Sequence, residues 1–358
     1  MTDINAFSPI RVGATAVRNR LVMAPMTRSR ATEDGLATAA MAEYYRQRSG
    51  AGLIITEASQ TGLRAKGYPT TPGIGTAEQA ASWRPVVDAV HEAGGTIHLQ
   101  LFHVGRLGHP SERGGLPGHA PSALLAPGRT FTAQGLAEHG MPSAMTADDI
   151  RATLREFAVA AELAISAGFD GVQLHGANGY LPQQFLSPNT NLRTDEWGGS
   201  TRNRIRFVVE AVRAIAEAAG ADRTSLRVSP AGTVGGIDEG DSAELYEALL
   251  GELAGDGLAF LDVSETPGQR DLTSLVRKAW PGVLVLNPHR GTGPETPHDR
   301  VADGLAAGAD LVALGAPWLA NPDLADRIAR RGPYNEADSS TYYGGTERGY
   351  LDYPVLKA

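Results

Sequence analysis

The chain has 358 residues, a formal net charge of −8 at pH 7 and no cysteine. The negative charge argues against nucleic acid as the main partner, because nucleic-acid-binding proteins usually present a basic surface. Without cysteine the chain has no disulfide, no thiolate-bound zinc and no cysteine-held iron–sulfur cluster. Length alone permits either two average domains or one large α/β barrel.

No targeting or membrane signal is evident in the sequence. Residues 1–13, MTDINAFSPIRVG, lack a basic segment followed by an apolar core, and the chain has no run of about 18 apolar residues. We therefore expect a soluble cytoplasmic protein without a membrane partner. No charge block, low-complexity tract or Ser/Gly-rich linker divides the chain, so residues 1–358 are predicted to form a single domain.

Short apolar segments and segments of helical periodicity alternate along the chain. The apolar segments predict eight strands, at residues 21–25, 53–58, 96–101, 171–175, 225–229, 258–264, 283–287 and 311–315. Between them, helices are predicted for example at residues 76–94, 146–168, 201–220 and 242–257, and each of these segments ends in glycine. Continuous apolar strands are typical of parallel strands covered by helices on both faces. The pattern predicts an α/β fold, a (β/α)8 TIM barrel, with an open doubly wound sheet as the alternative because spacing does not reveal closure.

A long segment from about residue 105 to residue 145, rich in Gly, Pro and Ser, follows the third predicted strand. We predict no regular element in it. A segment of that length is usually a functional loop or lid. The equal alternative is an excursion that merely covers one end of the barrel.

The residues at the ends of the predicted strands are mostly uncharged hydrogen-bonding groups, and catalytic residues of such barrels stand at these ends. They include Pro25, Met26, Thr27, Glu57, Ala58, Gln100, His103, His175, Asn178, Tyr180 and Arg227. We find no carboxylate pair spaced for glycoside hydrolysis, no metal-ligand spacing, no serine nucleophile elbow and no glycine-rich phosphate motif. Without a protein nucleophile or a metal, a bound cofactor is expected to carry the chemistry.

One amide and one arginine in this set suit the edge of a flavin pyrimidine ring. The Gln100 side chain offers a paired donor and acceptor, and Arg227 offers a cation for the charge of the reduced ring. Taken singly, each would more often be a polar residue of the barrel core that its neighbours satisfy. Their joint position at strand ends favours the flavin interpretation.

Several stretches together resemble the Old Yellow Enzyme family of FMN-dependent ene reductases, from about residue 7 to residue 354. The matching stretches are RLVMAPMTRSRA (20–31), MAEYYRQRSGAGLIITEASQ (41–60), AKGYPTTPGI (65–74), LQLFHVGR (99–106), LRVSP (226–230), ANPDL (320–324) and YYGGTERGYLDYP (342–354). The most specific is FDGVQLHGANGYLPQQFLSPNTNLRTDEWGGSTRNR, residues 169–204.

The resemblance implies FMN at the barrel mouth, reduced by NAD(P)H and then reducing an electron-poor alkene in a ping-pong cycle. It implies a hydrogen bond from Thr27 to the flavin O4, contact of Gln100 with the pyrimidine edge, and Arg227 on the N1/O2 side. The residues expected to contact the flavin are Pro25, Met26, Thr27, Ala58, Gln100, His175 and Arg227.

The resemblance also implies the roles of the polar trio that follows the fourth predicted strand. His175 and Asn178 match a pair that holds the substrate carbonyl, and Tyr180 matches a proton donor. Two such donors stabilise the charge that develops on the carbonyl oxygen, and a phenol of ordinary pKa stays protonated at neutral pH. Three further residues match positions that line the substrate pocket, namely Tyr68, Phe102 and Tyr350.

The sequence departs from the family where the FMN phosphate is expected to bind. The segments there read VLNPHRGTGPETP (285–297) and ALGAPWLANPDL (313–324), and the arginine expected after Gly315 is Ala316. We predict that Asn287, Gly315 and Ala316 border the phosphate and that Arg290 supplies the missing charge. The alternative is that Arg290 is a solvated loop residue.

Three interpretations of the function stay open at this point. The first is an FMN-dependent NAD(P)H oxidoreductase acting on a small-molecule alkene conjugated to a carbonyl. The second uses the same site for oxidation or isomerisation, and the third is a flavin-free barrel that binds a ligand or partner. The chain is expected to be a monomer or a homodimer.

Overall fold

The computed structural model describes residues 5–289 and 295–357, and its centre is a closed barrel of eight parallel strands. The strands are β1 Leu21–Met23, β2 Leu53–Ile55, β3 Ile97–Phe102, β4 Gly171–Gly176, β5 Thr224–Val228, β6 Phe260–Ser264, β7 Leu284–Asn287 and β8 Leu311–Leu314. Each strand pairs with the next, and β8 pairs with β1 at Val312 and Leu21. The predicted TIM barrel is thus confirmed, and the open sheet is excluded.

The first eight α-helices lie between successive strands, and the last two follow the eighth strand. They are α1 Ala39–Gln47, α2 Ala77–Glu92, α3 Ala147–Ser166, α4 Leu181–Leu186, α5 Thr201–Ala219, α6 Ser242–Leu253, α7 Arg270–Ala279, α8 Pro297–Ala306, α9 Ala316–Ala320 and α10 Leu324–Arg330. Within residues 5–289 and 295–357, no helix has the length and apolar character needed to cross a membrane.

Side-chain caps explain where many of these helices begin. Thr38, Thr76, Thr146, Ser200 and Thr296 each accept a hydrogen bond from a backbone N–H of the first helical turn. Such a bond satisfies one of the donors that a helix leaves unpaired at its start. The polar residue before each apolar-periodic segment therefore sets the helix boundary.

Two of the strands end two or three residues earlier than the sequence predicts. β1 ends at Met23 and β2 ends at Ile55, whereas the predicted strands extend to Pro25 and Ala58. Pro25 has no backbone N–H to donate to a neighbouring strand, so the ladder stops there. The residues released from the ladder, including Pro25 and Ala58, line the mouth of the barrel.

The segment 105–145 contains regular structure, so the prediction of a stretch without elements was wrong. It carries a 3-10 turn at Pro110–Arg113, an antiparallel hairpin of Arg129–Thr132 with Gly135–Glu138, and a short parallel pair of His119–Ala120 with Ser143–Ala144. Exposed and buried residues alternate in Arg129–Thr132, whereas none of Gly135–Glu138 is buried, and polar residues occupy several of these positions. Such a sequence does not show the apolar pattern from which strands are predicted.

A second antiparallel hairpin closes the N-terminal end of the barrel. Its strands, Ile10–Val12 and Thr15–Val17, bring Val12 and Val17 into one apolar cluster with Phe260 of β6. Gly13 at the turn has φ +53°, and a Cβ there would lie 1.9 Å from the carbonyl oxygen of Asp222. This close approach requires glycine. The opposite, C-terminal end stays open.

The capping box of α3 gives a stability prediction. The Thr146 hydroxyl accepts the Asp149 N–H at 3.1 Å, and the Asp149 carboxylate accepts the Thr146 N–H at 2.8 Å. We expect Thr146→Ala to lower the free energy of unfolding by about 1 kcal/mol, measured by urea unfolding. Thr146→Ser keeps the hydroxyl and is the matched control with little change. Equal unfolding free energies for wild type and Thr146→Ala would contradict the capping role.

Candidate active site

Two adjoining cavities lie at the C-terminal end of the barrel. The first measures about 340 Å3, and the second about 560 Å3. Thr27, Tyr180 and Tyr343 line both cavities. The first cavity is lined by Pro25, Met26, Thr27, Ala58, Gln100, His175, Asn178, Tyr180, Gly315, Ala316, Leu319, Tyr342 and Tyr343. The structure therefore brings most of the predicted site residues to one cavity.

His175 stands near the end of β4 and acts as a neutral hydrogen-bond donor. The Ala177 N–H donates to its Nδ1 at 3.4 Å, so the ring proton belongs on Nε2. Burial, with a further contribution from the positive charge of Arg227, lowers the pKa of His175 to about 3. At neutral pH the imidazole thus offers one N–H without a positive charge.

Asn178 is held in the cavity wall by an unusual turn. Asn178 and Gly179 have φ values of 56° and 79°, in the left-handed region that these two residue types tolerate best. The Asn178 N–H donates to the Ser229 hydroxyl at 3.0 Å, and the Gly179 N–H donates to Gln183 Oε1 at 2.7 Å. The Gln184 side chain donates to the Gly179 carbonyl at 2.7 Å. Because both residues of the turn are tied by buried side chains, the carboxamide of Asn178 starts from a fixed backbone.

Tyr180 lies between the two cavities with its hydroxyl 3.2 Å from the hydroxyl of Tyr68. Its ring packs edge-on against His175 and Phe102, at centroid distances of 4.8 and 5.5 Å. Burial, and then the neighbouring Tyr68, raise the pKa of Tyr180 well above its ordinary value. The phenol is therefore protonated throughout the neutral range.

A chain of buried side chains runs across the barrel interior beneath the first cavity. Gln100 Nε2 donates to Gln173 Oε1 at 2.7 Å, and Gln173 Nε2 donates to Asp262 Oδ2 at 3.1 Å. Arg227 donates to the same Asp262 oxygen at 2.5 Å and to Asn287 Oδ1 at 3.2 Å. Each member of this chain is at least nine-tenths buried. The chain links the cavity wall at Gln100 to the arginine that was predicted beside it.

The free polar atoms of the first cavity fit the ring of a flavin. No described residue donates to Gln100 Oε1 or bonds the Thr27 hydroxyl, so both groups are available to a ligand. A carboxamide and a hydroxyl beside backbone are suited to the alternating donors and acceptors of a pyrimidine edge. For the phosphate, Ala316 offers only a methyl group, and neither arginine nor lysine occurs among the described residues of this cavity. Arg290 lies outside the described residues.

Four predicted site residues line neither cavity, namely Phe102, Arg227, Asn287 and Tyr350. Tyr350 is fully buried, stacks on Tyr44 with ring centroids 4.1 Å apart, and lines neither cavity. Phe102 lies behind Tyr180, and Asn287 lies behind Arg227. The ring of Tyr350 belongs to the core, so the expected direct contact with substrate is not available to it.

Tyr343 is one of three residues of the first cavity that sequence reasoning missed, with Leu319 and Tyr342. It is 62% exposed, lines both cavities and lies opposite the exposed Phe131 of the hairpin, with ring centroids 6.2 Å apart. The available signal was the pair of aromatic residues at 342 and 343, in the same stretch as Tyr350. Sequence alone did not reveal which of these tyrosines faces inward.

A buried carboxyl fixes the loop that follows β1. Glu57 Oε2 accepts the N–H groups of Arg28 and Ser29 at 3.0 and 3.2 Å, while Oε1 has no hydrogen-bond partner in the described part of the chain. The Arg28 guanidinium in turn donates to the Tyr342 carbonyl at 2.8 Å. Burial raises the pKa of Glu57 from 4.5 to about 7, against the opposing effect of the two N–H groups.

Comparison with known proteins decides the family. The profile of the NADH:flavin oxidoreductase / NADH oxidase family matches residues 5–335. The chain belongs to this family. A protein of Leishmania infantum named a probable flavin mononucleotide-dependent alkene reductase is 40% identical, covering 97% of this chain and 96% of its own length. The predicted enzyme class, a flavin oxidoreductase, is confirmed.

Solved structures in this family identify the Old Yellow Enzyme type. The Old Yellow Enzyme homologue from Zymomonas mobilis has a TM-score of 0.93 at 38% identity, covering 98% of this chain and 99% of that chain. Morphinone reductase, solved in complex with tetrahydroNAD, has a TM-score of 0.91 at 40% identity, covering 98% of each chain. The predicted membership in the Old Yellow Enzyme family is confirmed.

The raised pKa of Glu57 predicts how the stability of this Old Yellow Enzyme family member depends on pH. A carboxyl that binds its proton more tightly in the folded state stabilises the fold below pH 4.5, and that contribution is lost as the pH rises towards 7. We expect Glu57→Gln to gain about 3 kcal/mol relative to wild type between pH 5 and pH 8. Urea unfolding across this range measures the difference, with Glu162→Gln on the exposed face of α3 as control. Parallel stability curves for wild type and Glu57→Gln would contradict the assignment.

Proposed function

We propose that the protein is an FMN-dependent oxidoreductase that uses NAD(P)H to reduce the activated C=C bond of α,β-unsaturated carbonyl compounds. The observation that carries this proposal is the common cavity of Gln100, His175, Asn178 and Tyr180. It unites a flavin-type edge contact, two neutral donors and one protonated phenol. The alkene reductase named in Leishmania infantum and the nicotinamide analogue bound to morphinone reductase support the reaction and the reductant.

The residues that would hold FMN come from several strand ends. When bound, the cofactor supplies hydride chemistry, taking two electrons and a proton from NAD(P)H for transfer to the alkene. Thr27 and Gln100 would hydrogen-bond the ring, and Arg227 would lie on its N1/O2 side. Backbone and side chains near the ring would come from Pro25, Met26, Ala58, His175, Gly315 and Ala316.

His175 and Asn178 would bind the substrate by its carbonyl oxygen. Addition of hydride to the β-carbon of an enone moves negative charge onto that oxygen, so preplaced donors stabilise the transition state more than the ground state. The lowered pKa of His175 suits this role, because a neutral imidazole polarises the carbonyl without surrendering its proton. The fixed turn at Asn178 and Gly179 keeps the second donor in place before substrate arrives.

Tyr180 would deliver the proton to the α-carbon. Its phenol is protonated at neutral pH and stands at the junction of the two cavities, beside the Tyr68 hydroxyl. After transfer, the Tyr68 hydroxyl can donate to the phenolate oxygen of Tyr180 and stabilise its charge. Tyr68 and Tyr343 would form walls of the substrate pocket, with Phe102 packed behind Tyr180.

The remaining parts of the proposal concern the residues near the FMN phosphate and the domain organisation, oligomeric state and location of the protein. Asn287 and Arg290 stay predicted phosphate-side residues, with Arg290 outside the described residues. We also propose that residues 1–358 act as a single domain, as a monomer or homodimer in the cytoplasm. The supporting feature is one hydrophobic cluster that contains residues from Ala6 to Tyr350.

A two-step anaerobic experiment tests the proposed function. Purified protein should show the visible absorption band of oxidised flavin, lose it on addition of NADPH or NADH, and regain it when cyclohexenone is added. Chromatography of the flavin released on denaturation should identify FMN. Protein without flavin, or reduced flavin that an enone does not reoxidise, would contradict the proposal.

Loss of the two side chains that donate to the substrate carbonyl should slow reoxidation of the flavin by the enone more than reduction of the flavin by NADPH. We expect His175→Ala and Asn178→Ala each to lower enone reduction by about 10² to 10³, as for other oxyanion donors. Reduction of the flavin by NADPH should survive in part, because these side chains act on the substrate oxygen. Stopped-flow absorbance measures both steps. Unchanged enone turnover in the double variant would overturn the assignment.

Removal of the Tyr180 hydroxyl should affect only the second half-reaction. Tyr180→Phe is expected to slow reoxidation by weakly activated enones by about 10²-fold, the ordinary contribution of a general acid. Flavin reduction by NADPH should stay close to the wild-type rate. Tyr334→Phe, whose hydroxyl lies outside both cavities, is the control. Equal slowing of both half-reactions would argue against a proton donor.

A further inference from the structure

Asp262 is a buried carboxylate next to the site, and the proposed reaction does not use it. Its side chain is completely buried, and its Oδ2 accepts from both Gln173 and Arg227. Its Oδ1 has no hydrogen-bond partner in the described part of the chain. Burial of a charge is costly unless the charge is paired, so the carboxylate depends on Arg227 for its stability.

The strand register explains why these side chains meet. Gln100 of β3 is the Cα partner of Gln173 of β4, and Arg227 of β5 is the partner of Asp262 of β6. Paired residues of adjacent parallel strands present their side chains to the same face of the sheet. All four side chains therefore share the barrel interior beneath the first cavity.

The carboxylate determines the polarity of the whole hydrogen-bond chain. A carboxylate only accepts, so Gln173 must present its Nε2 to Asp262 and its Oε1 to Gln100. Gln100 must then donate its Nε2 to Gln173 and leave its own Oε1 free. Asp262 thus fixes, across two amides, the acceptor that the cavity wall offers to a ligand.

The same carboxylate offsets the charge of Arg227. The guanidinium has one carboxylate partner, Asp262, at 2.5 Å, and its other side-chain partner, Asn287, is neutral. A ligand edge above Arg227 therefore experiences an ion pair and not an isolated cation. Negative charge that develops on such a ligand is stabilised less than it would be by the arginine alone.

We propose that Asp262 is a positioning residue for the flavin, which orients Gln100 through Gln173 and lowers the reduction potential by offsetting the charge of Arg227. This inference rests on the proposed function. Reduction of FMN consumes the two electrons and one proton that NAD(P)H releases as hydride, and the reduced ring carries a negative charge at its pyrimidine edge. A lower potential disfavours that charge and favours onward transfer of the hydride to the β-carbon of the alkene, with the proton going to the α-carbon.

The test is the midpoint potential of bound FMN, measured by anaerobic reductive titration against a reference dye. Asp262→Asn removes the charge at constant shape and should stabilise reduced over oxidised flavin by on the order of tenfold, since one buried unit charge is removed near the ring. For a two-electron couple, this is a shift of about 30 mV to more positive potential. Reoxidation of the reduced variant by cyclohexenone should slow by a comparable factor.

A second variant and a control keep the result decisive. Asn287→Asp places a second carboxylate beside Arg227, at the position where Asn287 Oδ1 accepts at 3.2 Å, and should shift the potential in the negative direction. Asp310→Asn removes an equal charge beside Arg277, just before β8 at the opposite end of the barrel, and should leave the potential unchanged.

An unchanged or lower potential in Asp262→Asn, or an equal shift in Asp310→Asn, overturns the inference. If Asp262→Asn does not retain FMN, Asn287→Asp decides, and a shift of its potential that is absent or positive overturns the inference. Wild-type protein that binds no FMN overturns the proposed function together with this inference. If the wild type reduces the enone normally and Asp262→Asn has the wild-type potential, this inference is overturned and the proposed function stands.

Discussion

Parallel pairing in a closed barrel is the constraint on which the rest of this structure depends. Closure leaves no free strand edge, so the register between neighbours decides which side chains share one level of the interior. Gln100 is paired with Gln173, and Arg227 is paired with Asp262 two residues further along the strands. Because these pairs are buried, each polar atom must find a partner among the others, and the hydrogen-bond chain follows. That chain therefore determines which atom of Gln100 faces the cavity as a free acceptor.

Burial, more than any nearby charge, sets the protonation states of the reacting side chains. The pKa of His175 falls to about 3, and the pKa of Tyr180 rises well above its ordinary value, so both side chains are neutral at working pH. Neutral donors in a dry site stabilise developing negative charge without a large solvation cost in the resting enzyme. The left-handed turn at Asn178 and Gly179 serves the same purpose, since buried side chains of Ser229, Gln183 and Gln184 hold its strained backbone before substrate binds.

The sequence predicted the barrel and much of the cavity, since strands buried on both faces are continuous apolar runs and their C-terminal ends converge. The errors have separate causes. The hairpin at residues 129–138 lacks an apolar pattern, and the tyrosines at 343 and 350 differ only in the direction that the folded segment gives them. Asp262 escaped notice because it stands inside an apolar strand, where its relation to Arg227 depends on cross-strand register. Contacts of this kind can be predicted only when the pairing of the strands is known.

The central claim is that the cofactor supplies the hydride to the β-carbon and that the Tyr180 phenol supplies the proton to the α-carbon. Isotopic labelling of the product tests this claim most directly. Cyclohexenone is reduced once with NADPH that is deuterated at the transferred hydrogen in ordinary water, and once with unlabelled NADPH in heavy water. The account predicts deuterium at the β-carbon in the first product and at the α-carbon in the second, as read by NMR. Solvent deuterium at the β-carbon, or nicotinamide deuterium at the α-carbon, would contradict it.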